Sequence, residues 1–275
     1  MSYARNQKRQ FQSSTTSKSS NATAHLVLMM FFVAGLLTSL MSAPQKEDPL
    51  RVLCIGDSIT QGGSKQRREN TFRLPLYRMI SSLGGEVDFI GSQSTGSDRN
   101  FAWPEGFDLD HEAYGGAGMA MVRTKLRRSL LELPPPDIAL IHLGTNDYDH
   151  HHDFARYLGR PLDEMIELLR ARNPEVVILI GHLNFNGGNS IKSRPVFDAM
   201  AHSKSLAKSP VITVDHFRGW VENPHTDGHD CHDWVHPNPQ GEQKMAEKWF
   251  AAMLPFLGID TTRFQRSTRL VSVSD

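Results

Sequence analysis

A chain of 275 residues with 39% hydrophobic content is long enough to bury one large core, and nothing in it marks a second globular domain. Its 30 basic and 30 acidic residues cancel, yet Arg5, Lys8, Arg9 and Lys18 are the only charges ahead of Ala43, leaving 26 basic against 30 acidic beyond it. That balance argues against a nucleic-acid partner, which would require a basic face.

Residues 26 to 43 (LVLMMFFVAGLLTSLMSA) carry no charge, follow a basic Ser/Thr-rich stretch and end in small residues before Pro44. They read as a secretory signal cut after Ala43, or as an uncleaved anchor at the lower limit of membrane-spanning length. Residues 1–43 are therefore read as a leader, 44–258 as one globular domain and 259–275 as a polar tail. The domain is expected to be exported (secreted, periplasmic or anchored outside the cytoplasm), touching a membrane only through an uncleaved leader.

Beyond the leader, strand and helix patterns alternate. Short apolar runs at Arg51–Ile55, Val87–Ile90, Ile138–Leu143, Val176–Leu183 and Val211–Val214 lack the two-residue alternation of a half-wet sheet and read as buried strands. Helical patterns fall at Thr71–Leu83, Met119–Leu133, Pro161–Arg172 and Pro195–Leu206. The final helix is the clearest: Asn238 can cap it, Pro239 suits its first turn, and Met245, Trp249, Met253 and Phe256 share one face. Five strands separated by helices predict an α/β fold with a five-stranded parallel sheet covered on both faces. Cys54 and Cys231 read as buried free thiols, although an exported context would also permit their pairing.

Four segments carry chemistry, each where a strand gives way to a loop or just before a helix. In Gly56-Asp57-Ser58 the glycine permits a sharp turn that projects a serine from the sheet edge. A serine hydroxyl is a poor nucleophile until a base takes its proton. In Asp233-Trp234-Val235-His236 the carboxylate can turn back onto the imidazole, fixing its tautomer and leaving the other ring nitrogen for the serine. Asn146, in Gly144-Thr145-Asn146-Asp147, and Gly116, in Gly115-Gly116, can offer hydrogen bonds to a developing oxyanion. Each segment alone has an ordinary alternative as a cap, turn or flexible loop. The four together, in this order on a βα scaffold, supply a kit for ester hydrolysis.

The same order resembles the SGNH (GDSL-type) hydrolase superfamily over Arg51 to about Leu257. The resemblance implies a flavodoxin-like three-layer α/β/α sandwich, Ser58 as nucleophile and oxyanion donor, Gly116 and Asn146 as the other donors, and His236 with Asp233 as base and orienter. The stretches Gly56–Gly62, Phe72–Tyr77, Val87–Ser92, His111–Gly116 and His236-Pro237-Asn238 look like carbohydrate esterase family 3, the acetylxylan esterases. In that family a serine usually precedes the oxyanion glycine and the second block reads His-Glu-Gly, whereas Gly115 and Ala113 stand here. The implied reaction is removal of acetyl or other small acyl groups from a carbohydrate through an acyl-enzyme, with no cofactor and no metal. Lipase-like or aryl-esterase activity is the alternative within the superfamily.

Outside those blocks, Asp57, Arg73 and Trp103 are expected to contact substrate, and Trp103, Trp220 and Trp234 fall in predicted loops where indoles either stack on sugars or pack locally. Asp149, His150, His151, His152 and Asp153 read as an exposed loop. His225, Asp227, His229, Asp230, Cys231 and His232 read as a polar loop or, in a metallohydrolase alternative, as a zinc or calcium site.

Overall fold

The computed structural model describes residues 48–66, 69–84, 86–147, 153–185 and 188–258; the leader, the tail, Asp149, His150, His151 and His152 lie outside them. The first strand, β1 (Leu50–Gly56), is buried from Val52 onward, as an uninterrupted apolar run demands of a central strand. The remaining strands are β2 (Val87–Ile90), β3 (Glu112–Ala113), β4 (Ile138–His142), β5 (Val177–Gly181) and β6 (Val211–Val214). All pair in parallel, in the order β2-β1-β4-β5-β6, and β3 joins the upper end of β1 through Ile55↔Glu112 and Gly56↔Ala113. With the two-residue β3 set aside, this is the flavodoxin-like order, whose ligand crevice opens beyond the carboxyl ends of the strands where the winding reverses. Here that switch point lies between β1 and β4, so the loops leaving these two strands meet there.

Among the described residues the α-helices are α1 (Ser58–Gln61), α2 (Arg73–Ser82), α3 (Met119–Ser129), α4 (Arg160–Arg172), α5 (Gly188–Lys204) and α6 (Pro239–Met253). Alternate strand residues feed two cores. Leu53, Ile55, Ala139, Ile141, Ile178 and Ile180 pack with Val122, Leu126, Leu162, Ile166 and Phe197 of α3, α4 and α5. Val52, Cys54, Leu140 and Leu179 pack on the other face with Leu76, Ile80, Met245 and Trp249 of α2 and α6. These are the three layers expected.

Asn238 caps α6 by accepting from the Gly241 N–H at 3.0 Å, and Met245, Trp249 and Met253 are fully buried, each worth roughly 1.5–3 kcal/mol. Phe256 lies past the helix end, in a 3₁₀ turn at Leu254–Phe256. The greatest departure is α5, which starts at Gly188 with Pro195 inside it, seven residues ahead of the expected start. Its buried face runs Ser190, Ser193, Phe197 and Ala201, so small polar residues occupy core positions and conceal the apolar period. Cys54 and Cys231 are buried and unpaired.

Candidate active site

The end of β1 can lie close against Thr60 because Gly56 has no side chain: a Cβ there would lie 2.0 Å from Thr60 Oγ1. Asp57 then caps the one-turn helix α1, its Oδ1 accepting the Ile59 N–H at 3.0 Å, and Ser58 is the first residue of that turn. The Ser58 hydroxyl is thus presented at the carboxyl edge of the sheet by backbone geometry alone.

His236 reaches it from the far end of the chain. The loop before α6 is pinned at its base: the Asp230 carboxylate, fully buried, accepts from Val221 N–H at 2.7 Å and from Lys244 Nζ at 2.8 Å. The Asn238 N–H donates to Asp230 O at 2.9 Å and its side-chain amide to His229 O at 2.7 Å, while Cys231 pairs with Pro237 across the loop. At the tip, both Asp233 oxygens lie 3.0 Å from His236 Nδ1, and Oδ1 also accepts the His236 N–H at 2.8 Å. His236 Nε2 stands 2.9 Å from Ser58 Oγ. Burial would raise the Asp233 carboxyl, but hydrogen bonds from His236 and the neighbouring imidazole outweigh it and hold the group below the usual range. A carboxylate so held keeps the Nδ1 proton facing it and leaves Nε2 as the acceptor toward serine.

The other two sequence blocks close on the same point. Tyr114–Ala117 is a tight turn with Ala117 N–H donating to Tyr114 O at 3.0 Å and Gly116 at φ +73°, a position that favours glycine. The turn stands beside the nucleophile turn: the Gly115 N–H donates to Gln61 Oε1 at 3.0 Å, and a Cβ on Gly115 would lie 3.9 Å from Ser58 Cβ. Asn146 lines the Ser58 cleft, and its Nδ2 faces Ala117 O at 3.2 Å and Asp57 Oδ2 at 3.4 Å. Gly118, the N-cap of α3, has no side chain to cap with; Asp147 supplies the cap from the neighbouring loop, accepting Met119 N–H at 2.9 and 3.1 Å. The Gly116 turn and the Asn146 loop are therefore locked together by the residue that follows Asn146.

Two expected substrate contacts are corrected. Arg73 has no exposed surface: its guanidinium donates to the carbonyls of Thr60 (3.0 Å), Leu109 (2.9 Å), Asp110 (3.2 Å) and Gln61 (3.3 Å), tying the turn after Ser58 to the segment ahead of β3. Asp57 is likewise fully buried, lies behind Ser58 rather than in the cleft, and is pushed by burial up to about 7. Trp103 packs into an aromatic group, its centroid 4.8 Å from Phe101 and 5.6 Å from Phe107, and Trp220 is buried. Trp234, by contrast, is 51% exposed and lines the cleft.

That cleft, of about 500 Å³, is walled by Ser58, Gly144, Asn146, Phe185, Trp234 and His236, with Leu183 and Val235 adding apolar surface. Leu183 and Phe185 follow β5 at the carboxyl edge, the same rule of position that singles out the loops after β1 and β4, but no motif marks them in the sequence. Asn184 between them meets the buried His142 Nε2 at 2.8 Å, fixing this wall to the end of β4. Among the described residues no group of three or more His, Cys, Asp or Glu side chains is placed to hold a metal ion. The Asp230 carboxylate of the 225–232 loop is instead engaged by Lys244 and Val221, and His229 Nδ1 lies 3.0 Å from Thr226 O.

A flavodoxin-like sheet that gathers a serine, histidine and aspartate in hydrogen-bonded series at its switch point is the architecture of an SGNH-type hydrolase. The family model for GDSL-like lipases and acylhydrolases matches residues 54–244; the chain belongs to that family, and this domain is a carboxylic ester hydrolase. It is 26% identical over 245 residues to a multidomain esterase of Ruminococcus flavefaciens, an alignment covering 80% of this chain and 31% of the relative. The chain thus spans about a third of the length of that curated relative. Among solved structures, a carbohydrate esterase family 3 member from Talaromyces cellulolyticus superposes with a TM-score of 0.63 at 25% identity, covering 76% of this chain and 98% of the other. An acetyl esterase mutant solved with an acetate ion gives the same four values. A family 3 carbohydrate esterase from Clostridium thermocellum, 21% identical with a TM-score of 0.61 over 76% of this chain and 98% of its own, shares the fold.

Proposed function

We propose that the domain removes small acyl groups, acetyl first among them, from carbohydrates by a Ser–His–Asp acyl-enzyme mechanism. The observation that carries it is the unbroken series Asp233–His236–Ser58, with contacts of 3.0 and 2.9 Å, at the edge of a cleft. The carbohydrate and the acetyl group come from similarity to the family 3 carbohydrate esterase and to the acetyl esterase with an acetate ion.

In this mechanism Ser58 Oγ attacks the ester carbonyl as its proton passes to His236 Nε2, and the Ser58 and Gly116 N–H groups with Asn146 Nδ2 take the oxyanion. The intermediate collapses, His236 returns the proton to the departing sugar oxygen, and the acyl group stays on Ser58. Water then repeats the attack, releasing the acid and restoring the serine. A serine-directed organophosphonate should label Ser58 stoichiometrically and abolish activity; an enzyme that stays unlabelled while turning over ester overturns the mechanism. Acetylated xylan should be hydrolysed and acetyl esters preferred to octanoyl esters below saturation; the reverse order would make the domain lipase-like. The leader supports export, and N-terminal sequencing of mature protein beginning at Pro44 would bear that out.

A further inference from the structure

We infer that Trp234 is the platform on which the ester-bearing sugar ring stacks, so that this one side chain sets the preference for a sugar alcohol over a simple one. The inference rests on the carbohydrate reading of the substrate. Three observations converge on it. Trp234 has φ +68° and is the single non-glycine residue with positive φ among the described residues. For a bulky side chain that region is sterically disfavoured, and such strain persists where the surrounding structure enforces it and a site makes use of it. The loop enforces it: Asp233 Oδ1 accepts from the N–H groups of both Val235 (3.3 Å) and His236 (2.8 Å), closing the turn over Trp234 from either side.

Second, the indole is not folded into the core. It is 51% exposed, where the indoles of Trp220 and Trp249 are 6% and 0% exposed, and it forms part of the cleft wall with Ser58 and His236. Third, the His225 ring stands against it in a T-shaped pair, centroids 6.3 Å apart and planes at 74°. Two positions from the proposed base, on a loop pinned by Asp230 and Asn238, the indole offers a flat apolar surface beside the point of attack. The C–H face of a pyranose is its chemical complement. Glu222 lines the same cleft.

The test compares an acetylated methyl xyloside with ethyl acetate, which has no ring to stack, in Trp234→Ala, Trp234→Gly and Trp234→Tyr. The ratio of kcat/KM for the sugar ester to that for ethyl acetate should fall at least ~10-fold in the alanine and glycine variants, mostly through KM, and recover in the tyrosine variant. Glycine should also raise Tm by ~2–4 °C, since it adopts the turn without strain, and alanine should not. A wild-type preference for the sugar ester that survives both truncations overturns this inference alone. Parallel losses on both substrates with a lowered Tm would make the indole a support for the turn carrying His236 and overturn it too. A wild-type enzyme that cleaves ethyl acetate but no acetylated sugar overturns the carbohydrate reading, and this inference with it.

Discussion

The Ser58 hydroxyl owes its reactivity, in the proposed mechanism, to a partner 178 residues away, and its two donors of help differ in how firmly they are held. Ser58→Ala and His236→Ala should each leave a folded protein with kcat reduced roughly 10⁴- to 10⁶-fold, because nucleophile and base act as a unit. A serine variant retaining a tenth of its turnover would sink the triad. Asp233 is 43% exposed against 17% for His236, so water can replace part of what its carboxylate does. Asp233→Ala is therefore expected to retain at least ~10-fold more activity than His236→Ala, read from kcat on the same ester. Asn146→Ala should lower kcat on the order of 10²–10³ with little change in KM, since a bond to an oxyanion strengthens only as charge develops. A rise in KM with kcat intact would place Asn146 on the ground-state substrate instead.

At the scale of elements, the most exacting residue is Arg73 on α2, whose guanidinium donates to four backbone carbonyls, two on α1 and two on the segment ahead of β3. Arg73→Leu takes that donor from the Gln61, Leu109 and Asp110 carbonyls, while Thr60 O keeps the Thr71 hydroxyl at 3.0 Å; at about 1–3 kcal/mol for each that water cannot reach, urea unfolding should show a loss of ~3 kcal/mol or more. A variant as stable as the parent would show that the loops repack without it. Nothing in the sequence distinguishes this arginine from one facing a substrate, because burial and carbonyl partners are tertiary facts. The strands were legible, since runs such as Ile138–Ile141 have only one reading when both faces are covered. Helix α6 was legible from its cap and apolar face, and the four chemical blocks from strand-end position. The start of helix α5 was not, because Ser190 and Ser193 stand on its buried face and Pro195 imitates a start. The two-residue β3 is too short to leave a pattern. Trp103 and Trp234 look alike as loop tryptophans; one has Phe101 and Phe107 to pack on, and the other has the cleft.

Across the whole molecule, buried titratable groups of opposite kinds set a stability optimum. Burial holds His111 down to about 3 and His142 down to about 4, and His216 well below its ordinary value. These rings stay neutral in the fold and take protons once unfolded, so their contribution is intact above about pH 6.5 and is lost as pH falls toward 4. Burial raises Asp57 to about 7 and Glu242 to about 8, the latter helped by the nearby Glu69. The fold holds those protons longer than the unfolded chain, so their contribution is present at low pH and is lost as pH rises from about 4 through 7 to 8. Urea midpoints across pH 4.5 to 9 should therefore peak near 6 to 7 and fall on both sides. A midpoint still climbing from 6.5 to 9 would contradict it, and Glu242→Gln should flatten the alkaline decline.

The distance along the chain between Ser58 and His236 also fixes when the proposed activity can begin. The nucleophile turn is finished as soon as β1 finds its neighbours, but its base sits on a loop whose footing depends on Lys244 and Asn238, and so on α6 being docked against α2. During synthesis, a chain emerging from its first residue forward would carry an inert serine through nearly all of its folding. Hydrolysis would switch on only when the last helix closes the sheet's second face, so that ester turnover, measured against chain length, should rise in one step rather than by degrees.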